Sequence, residues 1–128
     1  MGQQQLLLIV LGVIIVGIAI VVGINLFNAN AVSSNRDAVI SDLNNLGALA
    51  TQFYMKPVSM GGGGNTFTGW TIPATLDSTA NGTYNSPAPT ITATTVTIVG
   101  KGTQKVGGTA VQATATVTST GTTIVVNN

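Results

Sequence analysis

The sequence predicts an α+β protein: one long N-terminal helix, apolar and then amphipathic, packed against a small antiparallel β-sheet of three or four strands. Three observations predict it. Residues 6–24 are apolar without interruption, residues 39–53 repeat apolar side chains at helical spacing, and much of 90–128 alternates β-branched or small residues with polar ones at period two. A chain of 128 residues has room for one compact domain and one extended element. The expected division is 1–56 for the helix, 57–89 for a loop-rich connector and 90–128 for the sheet. Within the helix, 6–24 is the expected transmembrane segment or filament core.

The segment from Leu6 to Ile24 reads LLLIVLGVIIVGIAIVVGI and carries no polar side chain. A helix needs roughly 20 such residues to cross a bilayer. Fifteen of these 19 residues are Leu, Ile or Val. At about 2 kcal/mol for each large side chain kept from water, covering them is worth on the order of 30 kcal/mol. The remaining hundred or so residues cannot wrap the whole cylinder, so the segment belongs in lipid or against copies of itself. A cleaved signal peptide is the weaker reading, because the apolar run is too long and no Lys or Arg precedes it. A single-span anchor fits the same residues, whereas a buried core helix is normally shorter. Myristoylation at Gly2 would require Ser or Thr where Leu6 stands. Orientation is hardly specified, since the only nearby cation, Arg36, is offset by Asp37.

The expected polymer core comprises Leu6, Leu7, Leu8, Ile9, Leu11, Gly12, Ile14, Ile15, Gly17, Ile18, Val21, Val22, Gly23 and Ile24. Gly12, Gly17 and Gly23 are five and six residues apart. At about 100° per residue they point roughly 140° and then 120° apart, which predicts neighbours on every side and no single seam.

Residues 25–34 are small and polar, helical in expectation, with a kink left open. Ser34 followed by Asp37 has the spacing of a fresh helix cap. Val39, Leu43, Leu46, Ala50 and Phe53 then recur at steps of four, three, four and three, the expected interface between helix and sheet. Pro57 ends the helix at or before Lys56. The run Gly61-Gly62-Gly63-Gly64 reads as a flexible hinge, because a phosphate loop would need a following Lys and Ser or Thr. Phe67, Trp70 and Ile72 are expected to anchor the connector to the core. Strands are expected over 91–99, 111–117 and 122–126, with turns over 100–108 and 119–121. Three strands have one face to bury and no second sheet, and the stripe from Val39 to Phe53 supplies the cover.

Only seven residues are charged: Arg36, Asp37, Asp42, Lys56, Asp77, Lys101 and Lys105. That is 5% of the chain, against about 25% in an ordinary soluble domain. A net charge of +1 offers no basic stripe for nucleic acid. The absence of Cys excludes disulfides and thiolate metal sites, and the chain has neither His nor Glu. No catalytic, cofactor-binding or metal-binding residue is therefore assigned, and no enzyme activity or small-molecule substrate is expected. Lys101 and Lys105 lie in an expected turn, and Asp77 alone cannot hold Ca²⁺. No aromatic residue falls within 6–24, so no stacked conductive path is expected. Asn81-Gly82-Thr83 is a sequon, which makes Asn81 a candidate N-glycosylation site.

An apolar N-terminal helix, an amphipathic continuation and a small sheet packed on it resemble a type IV pilin. The resemblance spans the chain in architecture and residues 1–55 in sequence pattern. In that family a peptidase removes a short leader after Gly, and Gly2-Gln3 is the matching junction here. The bacterial pattern also has a Glu near the mature N-terminus, a Pro at the end of the apolar half and a C-terminal Cys pair. Here the first acid is Asp37, Gly23 stands in the Pro region and Cys is absent, so the pattern is more similar to archaeal-type pilins. The resemblance implies a homopolymeric extracellular filament for adhesion or surface contact, whose subunit sits in the cytoplasmic membrane before assembly. A monomeric membrane-anchored surface protein and a minor pseudopilin are the alternatives.

Overall fold

No proline precedes Pro57, so nothing in the sequence forces a break, although five glycines and many β-branched residues lower the intrinsic helix propensity. In the computed structural model, which describes residues 2–128, one helix, α1, runs without interruption over Gly2–Met55. The helix passes through Ser34 and Asp37, so the cap spacing there does not start a second helix and the expected single long helix is found. An uninterrupted helix keeps the backbone hydrogen bonds of that turn, which a break would replace with a single cap bond. The chain divides into two units, Met1–Ala31 and Val32–Asn128, so the division falls inside α1.

In the second unit, the helical stripe meets a five-stranded antiparallel sheet: β1 (Gly82–Thr83), β2 (Thr90–Ile91), β3 (Thr95–Val106), β4 (Thr109–Thr118) and β5 (Gly121–Val126). The main path is β1-β3-β4-β5, and β2 pairs with β3 beside β1. Period-two patterning sets the faces. Val111, Ala113, Ala115 and Val117 of β4 are buried, while the residues between them are partly open to solvent. Val96 and Ile98 of β3 stand opposite Val117 and Ala115 on the same face. Val96, Ile98, Ala113, Ala115 and Val117 form one core with Val39, Leu43, Leu46 and Ala50 of α1. Phe53 packs against that core while half-buried.

The structure differs from the sequence expectation in three places. Residues 91–99 are not one strand: β2 ends at Ile91, turns over 92–94 and pairs back on Val96 and Thr97. Thr92 closes the turn, its N–H donating to the Thr95 carbonyl and its Oγ1 accepting from the Thr95 N–H. Thr serves both strand and turn, so its composition alone hid the boundary. Residues 100–106, expected as a turn, continue β3. The actual turn is Gly107-Gly108, with φ of 58° and 84°, the two left-handed positions of a tight hairpin. The polar stretch between Lys101 and Lys105 carries a bulge, where residues 102–104 stand opposite Val111 alone.

The third difference is the glycine run, which is a helix cap. The Gly63 N–H donates to the Phe53 carbonyl (2.8 Å), Gly64 to Lys56 (2.9 Å) and Asn65 to Tyr54 (2.8 Å). These are carbonyls that the end of a helix leaves without partners. A Cβ on Gly62 would collide with the Lys56 backbone, and one on Gly63 with the Thr66 carbonyl, so the close approach requires glycine. The connector is thereby tied to the domain. Phe67 and Trp70 are buried, and the rings of Tyr54 and Phe67 lie 4.7 Å apart.

Leu43→Asp places an unpaired carboxylate in this core and is expected to lower the unfolding free energy of the second unit by several kcal/mol. Asn44→Asp, on the exposed side of the same turn, is expected to stay within about 0.5 kcal/mol. Denaturant unfolding followed by Trp70 fluorescence compares the two, and equal losses would contradict the assignment of faces.

Candidate functional site

Two surfaces stand out, one in each unit. In the first unit every residue from 2 to 30 is exposed. Each Leu, Ile and Val between Leu6 and Ile24 shows 50–69% of its surface. Nothing lies within 4 Å of where a side chain would begin at Gly12, Gly17 or Gly23. The expected polymer-core residues therefore share an uncovered aliphatic cylinder, long and apolar enough to cross a membrane. The exposed apolar surface reaches beyond Ile24 to Leu26 and Phe27, the latter 74% exposed. The polar neighbours Asn25 and Asn28 had marked an earlier end in the sequence.

In the second unit, a polar seam ties α1 to the loop that precedes and forms β1. One oxygen of Asp42, Oδ2, accepts from the Tyr84 hydroxyl (2.5 Å), Thr79 Oγ1 (2.9 Å) and Asn81 Nδ2 (3.1 Å). The Tyr84 N–H also donates to the Asp77 carbonyl. About two turns earlier on α1, Asn35 Nδ2 donates to the Asn81 carbonyl (2.8 Å) and to Thr103 Oγ1 (3.3 Å). Its Oδ1 accepts from the Gln104 N–H (3.2 Å). Asn35 thus holds both the β1 loop and the bulge of β3. Burial raises the pKa of the Tyr84 hydroxyl well above its usual value, and the hydrogen bond to Asp42 and its negative charge raise it further.

Sequence reasoning missed Asn35, Asp42 and Tyr84 as a group, although a signal existed. Asn35 and Asp42 are seven residues apart, so they share one side of the helix with Val39 and Leu46. Only the apolar members of that stripe had been counted. Asn81, the sequon residue, is half-buried, and Nδ2, the atom that would carry a glycan, is turned to Asp42. In this seam the Asp42 carboxylate accepts from three neutral donors, which clasps the loop to the helix. Among the described residues there is no group of three or more His, Cys, Asp or Glu side chains that could hold a metal.

An α+β chain with a long N-terminal helix, apolar and then packed on an antiparallel sheet, is compatible with a pilin-like fold. No family model, curated protein or solved structure matches the chain.

The seam predicts an alkaline limit to stability. A tyrosine with a raised pKa stays protonated in the folded state while the unfolded chain begins to lose its proton near pH 10. Its contribution is therefore fully present below about pH 10 and is lost as pH rises toward the folded value. Tyr84→Phe is expected to lose about 1.5–3 kcal/mol at neutral pH, the range for a bond to a charged group. Above pH 10 the gap between the two proteins should narrow in urea titrations. A gap that stays constant to pH 12 would contradict this role for the hydroxyl.

Proposed function

We propose that this protein is a structural, non-enzymatic subunit of an extracellular helical filament, polymerising through its apolar N-terminal helix for adhesion or surface contact. The observation that carries the reading is the aliphatic cylinder of residues 6–24, exposed on all sides. Lipid covers such a surface before assembly in the cytoplasmic membrane, and neighbouring copies cover it afterwards. A change of cover from lipid to protein leaves the apolar area buried throughout. What selects the polymer is then close packing between helices, for which Gly12, Gly17 and Gly23 leave space on different sides. A sparsely charged sheet domain rich in Thr, Ser and Asn suits an outward position on such a fibre. Homopolymerisation needs no nucleic acid, cofactor or small-molecule substrate.

The test is negative-stain microscopy of material sheared from the cell surface, with an antibody against the sheet domain. Labelled fibres are expected. If the chain remains entirely in the membrane fraction and labels no fibre, the monomeric anchor is the correct reading.

Register in the proposed fibre comes from aliphatic packing along α1, since the segment before Asn25 carries no charged side chain. Preformed fibres are therefore expected to keep their length in 1 M salt, where the Debye length is about 3 Å. They should disperse in detergents that solvate residues 6–24. Fibres that shorten in salt would show that ion pairs hold the lattice.

A further inference from the structure

Asn81-Gly82 is the only place in the sequence where glycine follows asparagine. In a free chain that pair is chemically labile, because glycine has no side chain to shield its backbone nitrogen from the asparagine Cγ. In the folded second unit the reacting groups are all held. The Asn81 N–H donates to Thr79 Oγ1 (3.2 Å), and the Asn81 carbonyl accepts from Asn35 Nδ2 (2.8 Å). Nδ2 of Asn81 donates to Asp42 Oδ2 (3.1 Å). Gly82 is buried in β1 opposite Gly102, and its N–H donates to the Thr79 carbonyl (3.3 Å). Even a Cβ on Gly82 would collide with the Lys101 carbonyl. The clasp between α1 and the β1 loop therefore closes over a reactive pair.

We propose that Asn81 is a self-modification site gated by the clasp: it converts to aspartate or isoaspartate only when the clasp opens, and the product cannot close it again. In the open state hydroxide from the solvent removes the Gly82 N–H proton, and the nitrogen bonds to Asn81 Cγ. The Cγ–Nδ2 bond breaks, and Nδ2 leaves as ammonia after taking a proton from water, which closes a cyclic imide. Water then splits the ring on either side of its nitrogen. Cleavage at Cγ leaves aspartate at position 81, whereas cleavage at the backbone carbonyl leaves isoaspartate, with the chain rerouted through the side chain. The balance is water in and ammonia out, with no redox step. In the closed state the first step is blocked, since the Gly82 N–H is both bonded and buried. Aspartate would set a second carboxylate, with no hydrogen to donate, where Nδ2 now meets Asp42. Isoaspartate would lengthen the backbone beside Gly82, out of register with Gly102. Because every residue involved belongs to the second unit, the proposal is independent of whether the chain polymerises.

Asn85-Ser86, exposed just after β1, is the internal reference. The full chain, in detergent and without a glycan at Asn81, is held at mildly alkaline pH in heavy-oxygen water, folded and in urea. Peptide mass spectrometry reads the oxygen gained at each site. The slowing of Asn81 by folding is expected to exceed that of Asn85 at least roughly tenfold, the factor that one hydrogen bond to a charged group supplies. Asp42→Ala, with folding checked by the emission of the single tryptophan, Trp70, should remove most of that protection. Asn81→Asp should lower the urea midpoint further than Asn81→Ala, because it adds repulsion to the lost bond. The proposal is overturned if folding protects the two sites equally, if Asn81→Asp is at least as stable as Asn81→Ala, or if a folded Asp42→Ala protein keeps Asn81 fully protected. Should Asp42→Ala fail to fold, the first two comparisons decide.

Discussion

The rest of the molecule depends on one constraint: the first half of α1 must be covered by something other than its own chain. The fifteen exposed Leu, Ile and Val side chains between Leu6 and Ile24 represent on the order of 30 kcal/mol of unfavourable hydration. A whole domain is stable by only about 5–15 kcal/mol. No rearrangement of the remaining residues offsets a term of that size, so the surroundings of the helix are part of the fold. The scarcity of charge points the same way, because a freely dispersed protein relies on a charged surface that this sequence lacks.

The second half of the helix solves a different problem with the same element. A sheet dominated by three long strands has one apolar face and no second layer of its own. Val39, Leu43, Leu46 and Ala50 provide that layer, and Asn35 and Asp42 fix its register by grasping the β1 loop and the β3 bulge. Apolar packing supplies most of the stabilisation, whereas the polar seam specifies which loop sits where. A hydrogen bond satisfied only in one arrangement disfavours alternatives that an apolar contact would tolerate. The glycine cap adds to this by making the helix end and the connector one continuous hydrogen-bonded unit.

The helix, its apolar and amphipathic halves and its end before Pro57 were legible because they rest on long periodic signals. The β4 strand was legible because Val111, Ala113, Ala115 and Val117 alternate strictly with polar residues. What escaped reading rests on single residues with two uses. Thr makes strands and also closes the turn at Thr92, and Gly makes hinges and also caps the helix at Gly62 and Gly63. The clasp escaped for a related reason. Asp42, Thr79, Asn81 and Tyr84 are distant in sequence, and no local pattern joins a carboxylate on a helix to donors in a loop about 40 residues away.

The central claim is that copies of the apolar helix cover one another. The chain has no Cys, so Ile15→Cys allows a single spin label in the middle of the apolar half. Dipolar broadening of its spectrum in sheared surface material measures the distance between neighbouring copies directly. The filament account predicts strong coupling, as for helices whose axes pack roughly 8–10 Å apart. Labels that remain magnetically isolated, with the mobility of a lone helix in lipid, would contradict it.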